Sequence, residues 1–436
     1  MNNNEVNIFW FRRDLRLDNN AGFLAALKDD LPVLPVFIFD EEILEHLPED
    51  DARVTFIFDR IQTMRKILQD EDNSSIAMFY GKPEKVFRNI LKRYDFRKVF
   101  TNRDYEPYAK ERDEEVQKLL ERNNIEFLDF KDQVIFEKDE ITKQDGTPYV
   151  VYTPYKNKWK EKFRNTNIKF HYTSRYRDNL IKNTRLPNLN LSDIGFKRSS
   201  LKVPDYKLTP GLIKDYEKTR NYPAKEGTSR LGPHLRFGTV SIRQMVREAD
   251  KQKNKTFLEE LIWREFFMQI LHHFPATGTD AFKKKYDRIK WRNNEEEFKK
   301  WKEGKTGFPL VDAGMRQLNE SGFMHNRIRM LAGSFLCKHL LIDWRWGEAY
   351  FAEKLLDYEM SSNVGNWQWV AGSGVDAAPY FRIFNPTTQI EKFDKNEEYI
   401  KEWVPEYGTD GYPQEMVDHK EARERALKTY KEAVSN

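Results

Sequence analysis

The feature that most limits what this chain can become is a change of grammar along it. Up to Asp132, short runs rich in β-branched and aromatic residues (NIFWF, LPVLPVFIF, IAMFYG, RKVFTN, IEFLDF) alternate with amphipathic stretches such as ARVTFIFDRIQTMRKIL and EPYAKERDEEVQKLLERN. That alternation predicts βα units and a parallel sheet flanked by helices. From Thr209 onward the strand signals fade. TFLEELIWREFFMQILHHF and HNRIRMLAGSFLCKHLLIDWRWGEAYFAEKLLDYEM carry helical periodicity with few prolines. Between the two, Gln133 to Tyr206 is irregular, polar and basic, a connector with short helices. The expected organisation is an α/β domain over 1–132, a connector over 133–206 and an all-α domain over 207–436. A length of 436 residues exceeds what one core usually serves, which agrees with two domains.

Several function classes are disfavoured at once. The first strand runs into NIFWFRRDLRLDNN rather than GxGxxG, so an ordinary dinucleotide fingerprint is absent. HEXXH, GXSXG and a Walker loop are missing too. The single cysteine, Cys337, excludes an internal disulfide and a cysteine-built metal centre, and no metal is expected. The longest apolar run is far short of a membrane span, and MNNNEVNIFWFRRD lacks the regions of a signal peptide, so the reading is a cytoplasmic protein without membrane contact. Net charge is +4, which announces no nucleic-acid binder by itself. Local basic clusters such as Lys283, Lys284, Lys285, Arg288, Lys290 and Arg292 are balanced nearby by Glu295, Glu296 and Glu297, as on a solvated helix face. Aromatic residues make up 14% of the chain, more than a core demands, and suit flat ligands.

Four stretches carry the chemistry. EGTSRLGPHLRFGTVS offers Thr228, Ser229 and following backbone N–H groups as a phosphate cradle running into a helix, or simply an N-cap. In ELIWREF, Glu260, Trp263 and Arg264 fall on neighbouring positions of one helix surface; a carboxylate beside an indole suits a flat ligand with polar edges, and a salt-bridged surface helix explains the charges equally well. In GFMHNRIRMLAGSF, Asn326 and Met330 share a face, an amide that reads base or flavin edges beside a soft apolar contact. LLDYEMSSNVGNWQW brings Asp357, Glu359 and Asn363 near Trp367 and Trp369. Two helical residues of about 100° each put those indoles on nearly opposite faces, one able to look inward and the other outward. Aromatics, amides and carboxylates without a hydrolytic nucleophile fit a protein whose bound chromophore performs the hard chemistry.

Taken together, WFRRDLRLDNN, EGTSRLGPHL, ELIWREFF, EGKTGFPLVDAGMRQL, GFMHNRIRM, DWRWGEAYF and NWQWVAGSGVDAAPYFRIFNPTTQIEKFD resemble the photolyase/cryptochrome family, most closely class I cyclobutane pyrimidine dimer (CPD) photolyases. The likeness runs from Phe9 to about Glu424. It implies the photolyase/cryptochrome fold, an N-terminal Rossmann-like α/β domain and a C-terminal all-α domain that binds FAD in a U shape, active as the reduced anionic form. It also implies light-driven repair of CPDs in UV-damaged, double-stranded DNA by a deoxyribodipyrimidine photo-lyase, a monomer by the family's default.

Residue by residue, the resemblance implies that Tyr216, Thr228, Ser229, Arg230 and Leu231 hold the FAD pyrophosphate, and that Arg264, Asn326, Arg329, Asp357, Glu359 and Asn363 surround the flavin. Asn363 matches the residue facing the reactive flavin nitrogen. Gly232, Glu359 and Phe257 depart from the family's usual serine, aspartate and tryptophan, which bears on the placement of FAD rather than its presence. Glu260, Trp263, Asn326, Met330 and Trp369 match the dimer pocket. Arg220, Arg327, Arg382 and Lys392 match phosphate-gripping positions. Trp367, Trp344 and Trp291 match an electron relay toward the surface. Glu106 resembles a folate contact of a second, antenna chromophore, which in other members is methenyltetrahydrofolate, a deazaflavin or a flavin. The competing readings are a (6-4) photolyase, disfavoured because Asn326 and Met330 stand where histidines would move protons; a blue-light cryptochrome photoreceptor with the same FAD fold; and a flavin-free nucleic-acid binding module.

Overall fold

The computed structural model describes residues 5–435, so the outermost domain limits expected at 1 and 436 lie outside the described residues. The chain divides into two compact units. One comprises the residues up to Glu137 with Lys162–Tyr206 and Leu231–Glu248; the other comprises Lys138–Glu161, Lys207–Arg230 and the residues from Ala249 onward. The stretch expected as a connector is thus shared between them.

In the first unit, every run read as a strand is one: β1 (Glu5–Phe11), β2 (Val33–Phe39), β3 (Ala77–Tyr80), β4 (Asp95–Asn102) and β5 (Glu126–Phe130). All pair in parallel in the order β3-β2-β1-β4-β5, with Phe9 opposite Pro35 on one side and Phe100 on the other. Pro35 is accommodated inside β2 because β3 joins only at Val36. Both faces of the sheet are covered. Phe9, Phe11, Phe37 and Phe39 pack with Phe23, Phe58 and Met64 on one face, while Ile8, Trp10, Val36 and Ile38 pack with Phe87, Val99 and Val116 on the other. That double burial is why the strands read as unbroken apolar runs rather than alternating ones. Phe237, from beyond the expected domain limit, joins the first of these cores, and Arg243 pairs with the buried Asp132 at 2.6 Å.

The second unit is helical. Its centre is the helix Met360–Ala371, against which the helices Thr256–His273, Asn326–Ser334 and Trp344–Lys354 all pack. Glycines permit this approach: a Cβ on Gly365 would lie 2.3 Å from the Phe267 ring, and one on Gly347 would lie 2.1 Å from the Trp367 indole. The helical run read from His325 to Met360 is interrupted. A π-turn over Phe335–His339 is followed by Leu341 at φ +49° and a restart capped by Asp343, whose carboxylate accepts from the Arg345 N–H. Apolar residues continue through the break because all of it is core, so periodicity alone does not reveal it. Among the described residues no helix is long and apolar enough to cross a membrane.

Candidate functional site

Met360–Ala371, the three helices packed around it and the helix Pro210–Thr219 packed on Thr256–His273 carry many of the residues singled out in the helical half. On Thr256–His273, Glu260 forms an ion pair with Arg220, the C-cap of Pro210–Thr219. Burial pushes the Glu260 carboxyl upward and Arg220 opposes it, with the upward effect winning. The two residues to which separate roles attach are therefore partners in this state. Trp263 is half-buried and stacks on Tyr152, with ring centroids 3.6 Å apart and planes 11° apart.

On Asn326–Ser334, Asn326 is exposed and Met330 half-buried, one turn apart, with the amide nitrogen 3.9 Å from the thioether sulfur. His325 caps this helix: its Nδ1 accepts from the Arg327 N–H at 3.2 Å. Burial first, then Arg329, Arg327, Arg230 and Arg220, push its pKa down to about 4. The ring is neutral at pH 7, so the Nδ1 acceptor leaves the proton on Nε2. His325 is thereby a poor proton donor.

The residues read as flavin neighbours are held by specific partners. Asn363 is buried, and its Nδ2 donates to the Glu348 carbonyl at 3.1 Å and to Glu348 Oε1 at 2.9 Å. Both amide hydrogens are committed there, so Oδ1 is the atom left to face a ligand. Burial raises the Glu348 carboxyl above its ordinary range, and the Asn363 hydrogen bond offsets part of that. Arg329 makes a bidentate pair with Asp357, at 3.1 and 2.9 Å. Glu359, the departure from aspartate, caps Met360–Ala371: its carboxylate accepts from the N–H groups of Ser361 (3.2 Å) and Ser362 (2.9 Å). Phe257 packs edge-on against Tyr216, centroids 5.1 Å apart. In EGTSR, Arg230 adopts φ +54°, its guanidinium lies 3.9 Å from the Phe323 ring centroid, and the Ser229 carbonyl accepts from the Lys207 N–H at 2.8 Å. The helix that follows is a single turn from Gly232 to Arg236 in the other unit; Leu231 occupies its cap position and no hydroxyl caps it, because the Arg230 turn and Pro233 set its start. Arg264 is half-buried on the same helix as Trp263.

Trp367 and Trp344 are 3% and 2% exposed, and Trp291 is half-buried at the edge of the same core. Trp369, two residues on from Trp367, is half-buried at the edge of the same core. Arg327 donates to Asn221 Oδ1 at 2.5 Å, and its guanidinium lies 4.4 Å from the Phe393 ring centroid. Burial lowers its pKa, and the charges of Arg220 and Arg382 lower it further, so the three guanidiniums sum to one positive field. Arg382 and Lys392 are exposed. In the sheet-containing unit, Glu106 follows β4 and pairs with Arg13 at 2.9 Å and Arg236 at 3.3 Å.

Three neighbours of these residues escape sequence reasoning. Glu348 belongs to DWRWGEAYF, yet nothing in that motif tells that it orients Asn363. Tyr152 comes from the stretch expected as a connector. Trp301 is fully buried with its centroid 6.2 Å from that of Trp367, and its Nε1 donates to the Ala332 carbonyl at 3.2 Å. An excess of tryptophans is the only signal that could have flagged it.

The residues present fit the FAD that the resemblance implies. Arg230 keeps a left-handed backbone that a non-glycine residue adopts only when its surroundings demand it. His325 Nε2, the protonated nitrogen, is buried without a protein acceptor, as expected where a bound group completes the hydrogen bonding. Asn363 offers an unionisable amide oxygen.

Comparison with known proteins agrees in both units. The family described as DNA photolyase matches residues 7–172, and the FAD binding domain of DNA photolyase matches 257–409. A deoxyribodipyrimidine photo-lyase of Halobacterium salinarum is 34% identical over 98% of this chain and 99% of its own length. The crystal structure of a bacterial class III photolyase from Agrobacterium tumefaciens has a TM-score of 0.88 at 31% identity, covering 99% of this chain and 98% of that one. An archaeal photolyase from Sulfolobus tokodaii, solved with two FAD molecules, has a TM-score of 0.81 at 32% identity over 98% of this chain and 100% of its own. On these matches and the fold that carries them, the chain belongs to the DNA photolyase family and bears that family's FAD-binding domain.

Proposed function

We propose that this chain repairs cyclobutane pyrimidine dimers in double-stranded DNA, driven by light. The observation that carries the reading is the convergence of the helices bearing Glu260 with Trp263 and Asn326 with Met330 on one helix, Met360–Ala371, which itself bears Asn363, Trp367 and Trp369. The chemistry that FAD would supply here, when bound and reduced, is light-driven loan of an electron to the dimer. Tyr216, Thr228, Ser229, Arg230, Arg264, Arg329 and Asp357 hold the FAD, and Asn363, fixed by Glu348, presents an amide that cannot ionise.

The remaining work belongs to the chain. A dimer stacked in duplex DNA has to leave the helix, and its weakened pairing lowers that cost. Trp263 and Trp369 provide apolar walls, each stacked base contributing on the order of 1–3 kcal/mol. Glu260 and Asn326 hydrogen-bond the thymine edges. Arg220, Arg327, Arg382 and Lys392 grip flanking phosphates without reading sequence. Because Arg220 is also the counter-ion of Glu260, gripping a phosphate and freeing the carboxylate for the thymine edge are coupled events. Trp291, Trp344 and Trp367 would relay electrons inward under light from an external reductant, which would re-reduce the outermost indole at the surface.

The experiment is illumination of reduced, flavin-loaded protein, without oxygen, on a duplex oligonucleotide holding one thymine dimer, with recovery of thymine absorbance as readout. Recovery is expected with wild type and greatly reduced recovery with Trp263→Ala. A flavin-loaded wild type that leaves dimers intact favours a photoreceptor role instead. A second chromophore in the sheet-containing unit would compete with Arg13 and Arg236 for Glu106; a fluorescence excitation spectrum of protein from its native host tells whether one is carried.

A further inference from the structure

The indole of Trp263 is not oriented by its own helix alone. Phe266 and Phe267, the next turn along, flank it at centroid distances of 5.6 and 5.5 Å, with planes inclined by 78° and 29°. The close, parallel contact is with Tyr152, at the start of the helix Tyr152–Arg164. Tyr152 is itself firmly held. It is 5% exposed, its hydroxyl donates to the Glu259 carbonyl at 2.6 Å, and its N–H donates to the Asp376 carboxylate at 3.2 Å. Its ring meets Phe266 edge-on, and the Lys156 ammonium lies 5.6 Å from its centroid. Burial and the charges of Glu259 and Glu260 keep the phenol un-ionised far above neutral pH.

A flat side chain has two faces. With one face of Trp263 stacked on a buried, hydrogen-bonded ring and Phe267 inclined to it by only 29°, the indole plane is set before any ligand arrives, which leaves the face away from Tyr152 for a base. Fixing a recognition group in advance removes part of the ordering cost that binding otherwise carries. We infer that Tyr152 is a positioning residue for lesion recognition, its ring holding the plane of Trp263 so that the far face of the indole meets the dimer. This rests on the reading of Trp263 as a wall of the dimer pocket.

The test uses flavin-loaded protein and measures affinity for a duplex oligonucleotide with one thymine dimer and for the same duplex undamaged. An aromatic pair of this kind is expected to be worth about three- to tenfold in dimer affinity. Tyr152→Leu is expected to lose that factor on damaged DNA and nothing on undamaged DNA. Tyr152→Phe, which keeps the ring and loses the bond to Glu259, is expected to stay within about twofold of wild type. In the background of Trp263→Ala, Tyr152→Leu is expected to cost nothing more, since Tyr152 acts only through the indole. Equal loss on both DNAs, equal loss in the Phe and Leu variants, or full additivity with Trp263→Ala each overturns the inference. If Tyr152→Leu does not take up flavin, Tyr152→Met, closer in volume, is judged by the same criteria; failure of both Leu and Met to load while Phe loads makes the ring a fold requirement and overturns it too. Should Trp263→Ala leave dimer affinity unchanged, the pocket reading fails first, which is distinguishable from Tyr152→Leu having no effect while Trp263→Ala does.

Discussion

Asn363 and Glu348 illustrate how far a single side chain's role depends on a partner that its own motif does not name. The amide type at 363 is legible in SSNVGNWQW, but its orientation is decided by a carboxylate on the helix Trp344–Lys354, fifteen residues away. Glu348→Ala frees the amide to turn. The flavin is expected to remain bound with a shifted reduction potential, whereas Glu348→Gln, which keeps an acceptor oxygen, is expected to stay near wild type; a spectroelectrochemical titration measures both. The arginines act differently. Arg382 and Lys392 are exposed and meet only phosphate in this account. Removing either is expected to weaken binding to damaged and undamaged DNA alike and to lower the number of released counterions by about one, read from the salt dependence of affinity.

At the scale of elements, what matters is how closely helices approach Met360–Ala371. Gly347 lies against Trp367, and a methyl group there would overlap the indole. Gly347→Ala is expected to cost about 1–3 kcal/mol through overpacking, measured by urea unfolding, and to slow photoreduction of the flavin if the displaced ring is, as proposed, the innermost tryptophan of a relay. The π-turn after Asn326–Ser334 supplies a second test. It buries Lys338, whose ammonium donates to the carbonyls of Ala371 and Tyr380, both at 3.1 Å. Burial pulls its pKa down to about 7 from 10.5. Between those values the unfolded chain binds more protons than the folded one, so stability from this group rises with pH across that window. The slope approaches about 1.4 kcal/mol per pH unit. Lys338→Met is expected to lack this slope when urea midpoints are compared with wild type at pH 7.5 and pH 9, values of roughly this window.

At the scale of the molecule, the sheet, its five strands and the helical half were legible because burial on both sheet faces leaves uninterrupted apolar runs, and because motifs sit on faces that helical spacing defines. Spacing alone puts Trp367 and Trp369 on different faces; that Trp367 is the buried one and Trp369 the half-buried one is settled by the packing. The rest was not legible, since periodicity reports which face a residue occupies and not what packs on it. The contact of Tyr152 with Trp263 joins residues 111 positions apart in helices that no local pattern links. The ion pair of Arg220 with Glu260 joins a cap to a helix face, and the break at Phe335–His339 hides inside an apolar stretch. The use of Leu231–Glu248 by the sheet-containing unit is likewise a tertiary outcome, decided by where Phe237 and Arg243 find burial and charge. The central claim is that these residues together make a light-driven dimer-repair site. Its most direct test is dimer repair per absorbed photon by the reduced, flavin-loaded protein, compared with Glu260→Ala. The account predicts efficient repair by wild type, a clear loss with Glu260→Ala, and none by either in darkness; undiminished dimers after illumination of fully reduced wild type would contradict it.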